Sequence, residues 1–364
     1  MIKNRVATPN GYGDIDKSNI SSVKKHRYIA SFILLPFLYV LSVFLACAFG
    51  SSTVPIEKVI LVLKQELFGI VSEIITPSDI YIVWNLRFPR ALLALAAGGG
   101  LAVAGAAMQS VTKNVMADPY VLGISSGALA FVSIGFMIGG VMLNTKWFLP
   151  LMAFGGALFA LLMVFAVGGF SNTSSPARLV LSGLAVSITL NAVGQYGIYN
   201  AKNISSSNAV VSWMMGSLGG SRWADVWIPI LSSLLGTAFF LLNARSFDLM
   251  TLGDETAISL GVNTRHLKRL AFIVVAMMCG VSVASCGIIG LVGFMVPHIV
   301  RFITGTEHRR VFPLSFLVGG IFLVCMDILA RIILAPNELP IGILTALCGG
   351  PYFVWLLRKN KGRG

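Results

Sequence analysis

Charge is what this sequence has least of. Fourteen acidic and 27 basic residues make up only 11% of 364 positions, against roughly a quarter in an ordinary soluble domain. That scarcity excludes a typical soluble enzyme and, for the bulk of the chain, intrinsic disorder. Cysteine is also sparse. Cys47, Cys279, Cys286, Cys325 and Cys348 are odd in number, lie inside apolar stretches and show no CxxC spacing, which excludes a disulfide scaffold and reads as small hydrophobic residues. No G-x-x-x-x-G-K-[ST] stretch is present, so the chain has no P-loop with which to hold nucleotide phosphates. His26, His266, His298 and His308 are dispersed and no HExxH occurs. Neither a metal centre nor a cofactor is expected.

What remains is hydrophobic. Residues of the AVILMFWYC set make up 56% of the chain and the mean hydropathy is +0.84, the composition of a polytopic membrane protein. Ten apolar segments are expected as spans, near residues 28–49, 91–110, 120–141, 147–170, 179–199, 226–244, 270–284, 288–303, 311–334 and 341–357. Only Ser285, Cys286 and Gly287 separate the seventh from the eighth, so a broken or re-entrant hairpin is open there. The organisation that follows is a polar leader over residues 1–27, one transmembrane unit over 28–358 and a basic tail over 359–364. Ten such helices leave no room for a large soluble domain.

The net charge of +13 does not point to nucleic acid, because the basic residues gather at the ends of apolar segments. With the N-terminus inside, nineteen Lys and Arg fall on inner segments and eight on outer ones, which places both termini in the cytoplasm. Arg87, Arg90 and Arg331 run against that bias at the edges of outer spans. Edge arginines ordinarily snorkel to headgroups; the alternative is a cationic ring that docks an acidic partner.

The second span is crowded with small residues, including Gly98, Gly99, Gly100 and Gly105, and is expected to be buried among other helices; Gly155, Gly156, Gly319 and Gly320 suggest similar packing elsewhere. Gly123-Ile124-Ser125-Ser126-Gly127 has the serine of a protease-like turn, but nothing in the sequence places His298 near it, and close packing explains it better. Asp327 is the one intramembrane carboxylate, four residues before Arg331. A transporter driven by protons or sodium would usually bury more acids. That disfavours a secondary transporter and points to an energy source outside the membrane. Between spans six and seven, Gly253 and Gly261 frame a short helix whose first turn carries Asp254 and Glu255, a shape suited to a groove on another protein.

Several stretches together resemble the FecCD-type permeases, the membrane subunits of binding-protein-dependent ABC importers for iron-siderophore, haem and cobalamin. They are Leu86-Arg87-Phe88-Pro89-Arg90, Gly105-Ala106-Ala107-Met108-Gln109 with residues 114–128, residues 213–218, Leu252-Gly253-Asp254-Glu255 with Leu260-Gly261-Val262, residues 290–301, and residues 337–345. The resemblance implies an all-α fold of about ten transmembrane helices, that of a type II ABC importer permease. It implies a second permease chain, like or unlike, cytoplasmic ABC ATPase subunits that hydrolyse the ATP, an extracytoplasmic substrate-binding protein, and an iron chelate as cargo, with a ferric siderophore ahead of haem or cobalamin. The location it implies is the bacterial inner membrane.

By residue match, Arg87, Arg90 and Arg331 correspond to positions that dock the binding protein, and Gly253, Asp254, Glu255, Leu260 and Gly261 to the element that couples to the ATPase. Asn114 and Met116, with Ser174, Ser175, Pro176 and Ala177, correspond to the inner gate. Here the sequence departs from the family: Val115 and Met116 replace the Pro-Leu of a usual Asn-Pro-Leu-Ala, and Pro176-Ala177 stands where small hydroxyl residues are usual.

Overall fold

The computed structural model describes residues 34–138, 147–169, 176–201 and 203–361. The expected leader, Ser174 and Ser175, and the end of the expected tail lie outside those residues.

Among the described residues the chain is all helical, without a strand. In order come α1 (Leu34–Ala48), α2 (Ile56–Phe68), α3 (Pro77–Ile80), a π-helical stretch (Tyr81–Arg87), α4 (Phe88–Thr112), a 3₁₀ turn (Pro119–Leu122), α5 (Ile124–Ile138), α6 (Phe148–Gly168), α7 (Pro176–Tyr199), α8 (Ile204–Met214), α9 (Trp223–Leu242), α10 (Ala244–Thr251), α11 (Asp254–Ser259), α12 (Thr264–Cys286), α13 (Val292–Thr304), α14 (His308–Ile332) and α15 (Ile341–Lys361). The ten expected spans correspond to α1, α4, α5, α6, α7, α9, α12, α13, α14 and α15. Helix α15 extends three residues into the stretch read as a tail. Helices α2 and α8, each too short to cross a bilayer alone, were not foreseen.

Helix α4 forms the centre. It packs against α14, α9, α12 and α13, while α5, α6 and α7 pack on one another and α12 joins the two groups. Almost every α4 side chain from Pro89 to Thr112 is buried, as its small residues require. A Cβ built on Gly98 would overlap the carbonyl oxygen of Gly319 in α14, and one on Gly105 would overlap the backbone of Gly293 in α13. Helices α5 and α6 meet the same way through Gly127 and Gly156. Gly155 does not share that role: nothing lies within 4 Å of its would-be Cβ. Gly123 thus precedes α5, and residues 124–127 form its close-packed first turn.

The seventh and eighth spans form a broken pair. Helix α12 ends at Cys286, and five residues of irregular backbone, with Gly287 and Leu291 at positive φ, lead into α13. At 13 residues α13 rises about 20 Å, short of the roughly 30 Å hydrocarbon core. The irregular stretch is buried against other backbone: Cys286 O accepts from Ser217 N at 2.8 Å, and Gly287 abuts Trp213 and Gly216. Non-helical chain at membrane depth survives where protein covers it.

Candidate functional site

The sequence-derived candidates fall at the two ends of α4. At the end where α4 begins, the helix runs unbroken from Pro77 through the π-helical stretch into α4, Pro89 follows directly on that stretch, and the π-helical stretch carries Arg87. Its guanidinium donates to the carbonyls of Cys47 at 2.8 Å, Ala48 at 3.1 Å and Ser52, and to Ser52 Oγ at 3.0 Å. Those groups close the turn after α1, so Arg87 caps the C-terminus of another helix. Arg90 Nε and Nη2 hold Asp327 Oδ1 at 2.9 and 2.8 Å, and its Nη1 holds both oxygens of Glu338 at 3.0 and 2.9 Å. Arg331 donates to Ala46 O at 3.1 Å. Its Nη2 lies 3.0 Å from Asp327 Oδ2 in an ion pair that is not aligned as a hydrogen bond.

The arginines expected to dock a partner are engaged within the chain. Arg87, Arg90 and Arg331 are 5%, 9% and 3% exposed, and their guanidiniums point inward to carbonyls and carboxylates. Asp327 also does more than pair with its helical neighbour, since it bridges arginines from α4 and α14. Three guanidiniums against two carboxylates tie α1, α4, α14 and the 338 loop together. Trp84, Phe88 and Trp223 stack beside this cluster, with Trp223 Nε1 donating to Trp84 O at 2.9 Å, as aromatic residues do at a membrane interface.

At the other end, α4 stops at Lys113, whose φ of 52° is left-handed, and the chain turns through the expected gate residues. Asn114 Oδ1 accepts from Met116 N at 2.9 Å, an Asx turn. Met116 packs against the buried cluster of Phe294, Met295 and Leu356, so the expected gate loop lies against the cluster that α13 and α15 form. Pro176 and Ala177 open α7.

The expected coupling segment forms α11, with Gly253 at φ 123° before it and Gly261 at φ 86° after it. Its two acids part company. Asp254 turns inward, 2.5 Å from Lys268 of α12 and 3.1 Å from Lys113 of α4, whereas Glu255 is exposed. Burial works against charge on Asp254, but Lys268 and Lys113 outweigh it and hold the carboxyl below its ordinary value. Ala257 is buried beneath α11, while Leu252, Ile258 and Leu260 are exposed at 66%, 59% and 57%. Lys113 and Lys268 escaped the sequence reading because nothing in a lone lysine announces a partner 141 or 14 positions away.

The profile of the FecCD transport family matches residues 38–359. The chain belongs to the FecCD transport family. Family members are the transport permease components of ABC importers, with ATP hydrolysis on a separate subunit, and they pair with a second permease and the ATPase. The chain is 36% identical over 344 residues to the ABC transporter permease protein YvrB of Bacillus subtilis, covering 93% of this chain and 96% of that protein. It is 39% identical to the Fe(3+) dicitrate transport system permease FecD of Escherichia coli (77% and 86% covered) and 36% identical to the hemin transport system permease HmuU of Yersinia pestis (79% and 86% covered). A solved metal-chelate type ABC transporter in an inward-facing conformation matches with a TM-score of 0.77 at 26% identity, covering 90% of this chain and 98% of that one.

Proposed function

We propose that this FecCD permease moves a ferric siderophore across the bacterial inner membrane into the cytoplasm, receiving it from an extracytoplasmic binding protein. The observation that carries the direction of coupling is the exposed Leu252, Ile258 and Leu260 face on α11, held to the end of α4 through Asp254. The Lys113 end is the cytoplasmic one, where Arg245, Arg265, Lys268, Arg269, Arg309 and Arg310 also gather. The ATPase seats on the α11 face, and both chain termini lie on that side. Residues Asn114 and Met116, with 174–177, form the inner gate. The binding protein docks at the Arg87 end, where Arg87, Arg90 and Arg331 shape the docking surface from beneath instead of touching the partner.

Relatives are named for ferric dicitrate, hemin and cobalamin, all large ligands with the metal already enclosed, which supports a chelate as cargo. Growth of a strain deleted for this permease on single iron sources tests the reading. Loss of growth on a ferric siderophore, restored by the gene in trans, is the expected result. A defect confined to haem, or to cobalamin-dependent growth, would replace the siderophore with that cargo.

A further inference from the structure

The coupling segment is fastened to α4 twice, and the second fastening uses residues to which no role has been given. His308, the first residue of α14, is buried. Its Nδ1 lies 2.6 Å from Asp248 Oδ1 in α10, and the same oxygen accepts from the His308 backbone N–H at 2.9 Å. Asp248 therefore caps α14 while orienting the ring, which fixes Nδ1 as a donor. On the ring's other side Nε2 bonds Ser110 Oγ in the last turn of α4, and Ser110 also reaches Ala106 O at 2.8 Å.

This strut holds in either protonation state. With a neutral ring the Ser110 hydroxyl donates to Nε2; with a charged ring Nε2 donates to Ser110 Oγ, and the hydroxyl proton goes to Ala106 O. Phe247 and Phe312 lie against the ring, and Phe240 packs on both of them. The two fastenings meet α4 within one turn. Helix α10 reaches Ser110 through Asp248 and His308, and α11 reaches Lys113 through Asp254. Lys113 is the residue from which the gate loop departs.

Building on the function proposed above, we infer that His308, Asp248 and Ser110, together with Lys113 and Lys268, are positioning residues that pass a displacement of α10–α11 directly to the gate loop. A segment joined to α4 only by exposed apolar contacts would slide when the ATPase pulled on it. One joined by an aspartate–histidine–serine chain whose histidine and serine are buried, and by a two-lysine ion pair, moves with α4 as a body. The gate loop, lying against the α13 and α15 cluster through Met116, is then the first element to yield.

The test uses the whole permease with its ATPase in lipid nanodiscs. Spin labels sit at Val115 in the gate loop and Phe68 on α2, both exposed and outside the strut. In the wild type, trapping with ATP and vanadate is expected to shift the 68–115 distance. His308→Ala combined with Lys113→Ala should lose that shift while the ATPase stays bound and its basal hydrolysis is unchanged, and His308→Gln, which keeps a hydrogen-bonding head, should restore part of it. Lys113→Ala alone removes only a half-exposed ion pair and keeps the fold, so it decides the matter if the double variant fails to assemble: the shift should shrink. A full wild-type shift in Lys113→Ala and in the double variant overturns the inference. A wild type that retains no ATPase or shows no hydrolysis overturns the functional reading instead.

Discussion

Removing the Asp327 carboxylate would leave Arg331 without a counter-charge and Arg90 with Glu338 alone. Arg90 and Arg331 approach it from different helices, and a buried guanidinium left without its counter-charge costs far more than the intact pair contributes, about 3–5 kcal/mol. Asp327→Asn keeps the shape and loses the charge. It is expected to lower the thermal midpoint of the detergent-solubilised protein sharply, whereas Glu338→Gln, at a half-exposed carboxylate, should lower it much less. Equal effects would mean that Arg90 draws its compensation chiefly from Glu338. The same cluster shows what sequence can and cannot convey about a single residue. The anomaly of Arg87, Arg90 and Arg331 was legible, because the positive-inside bias makes any outer arginine conspicuous. Their direction was not. The partners of Arg87 are backbone carbonyls about 40 residues away, a feature no side-chain pattern encodes, and those of Arg90 are Asp327 and Glu338, more than 230 residues away.

Elements were more legible than contacts. All ten apolar segments became helices, since a run of 13 to 25 apolar residues in a membrane has no other way to satisfy its backbone. The small-residue run in α4 predicted a buried face, and the structure identifies its closest neighbours as the backbones of Gly319 and Gly293. The amphipathic helices at the membrane boundary were less so: α2 and α8 carry too few apolar residues in a row to stand out. Helix α12 begins six residues before the apolar segment, because Arg265, Lys268 and Arg269 belong to the helix while their charges reach its end. At Gly105 the packing gives a sharp expectation. Even a methyl group there meets the Gly293 backbone, which lies in the first turn of α13 and has no side-chain rotamer with which to yield. Gly105→Ala should therefore reduce the yield of folded protein, and Gly105→Leu should abolish it. Gly155→Ala, with open space around it, should leave yield unchanged in the same size-exclusion assay.

At the scale of the whole molecule, the two ends of α4 do different work, and α11 is where the consequence is measurable. The sequence suggested that Asp254 and Glu255 act together at an interface, but the fold divides them: Asp254 belongs to the permease's own bracing, and the outward face consists of Leu252, Ile258 and Leu260 with Glu255. Burying an aliphatic side chain contributes about 1.5–3 kcal/mol, and an acid in its place would have to be desolvated without a partner. Ile258→Glu with Leu260→Glu is thus expected to lose co-purification of the ATPase while the permease keeps its thermal midpoint, since neither side chain touches the core. Asp254→Ala should do the reverse, retaining the ATPase on an intact apolar face while breaking the link to Lys113 and Lys268, so that hydrolysis proceeds without transport. Measuring bound ATPase and uptake on both variants separates attachment from transmission. Should Asp254→Ala shed the ATPase and the double glutamate variant retain it, the α11 surface has been assigned backwards.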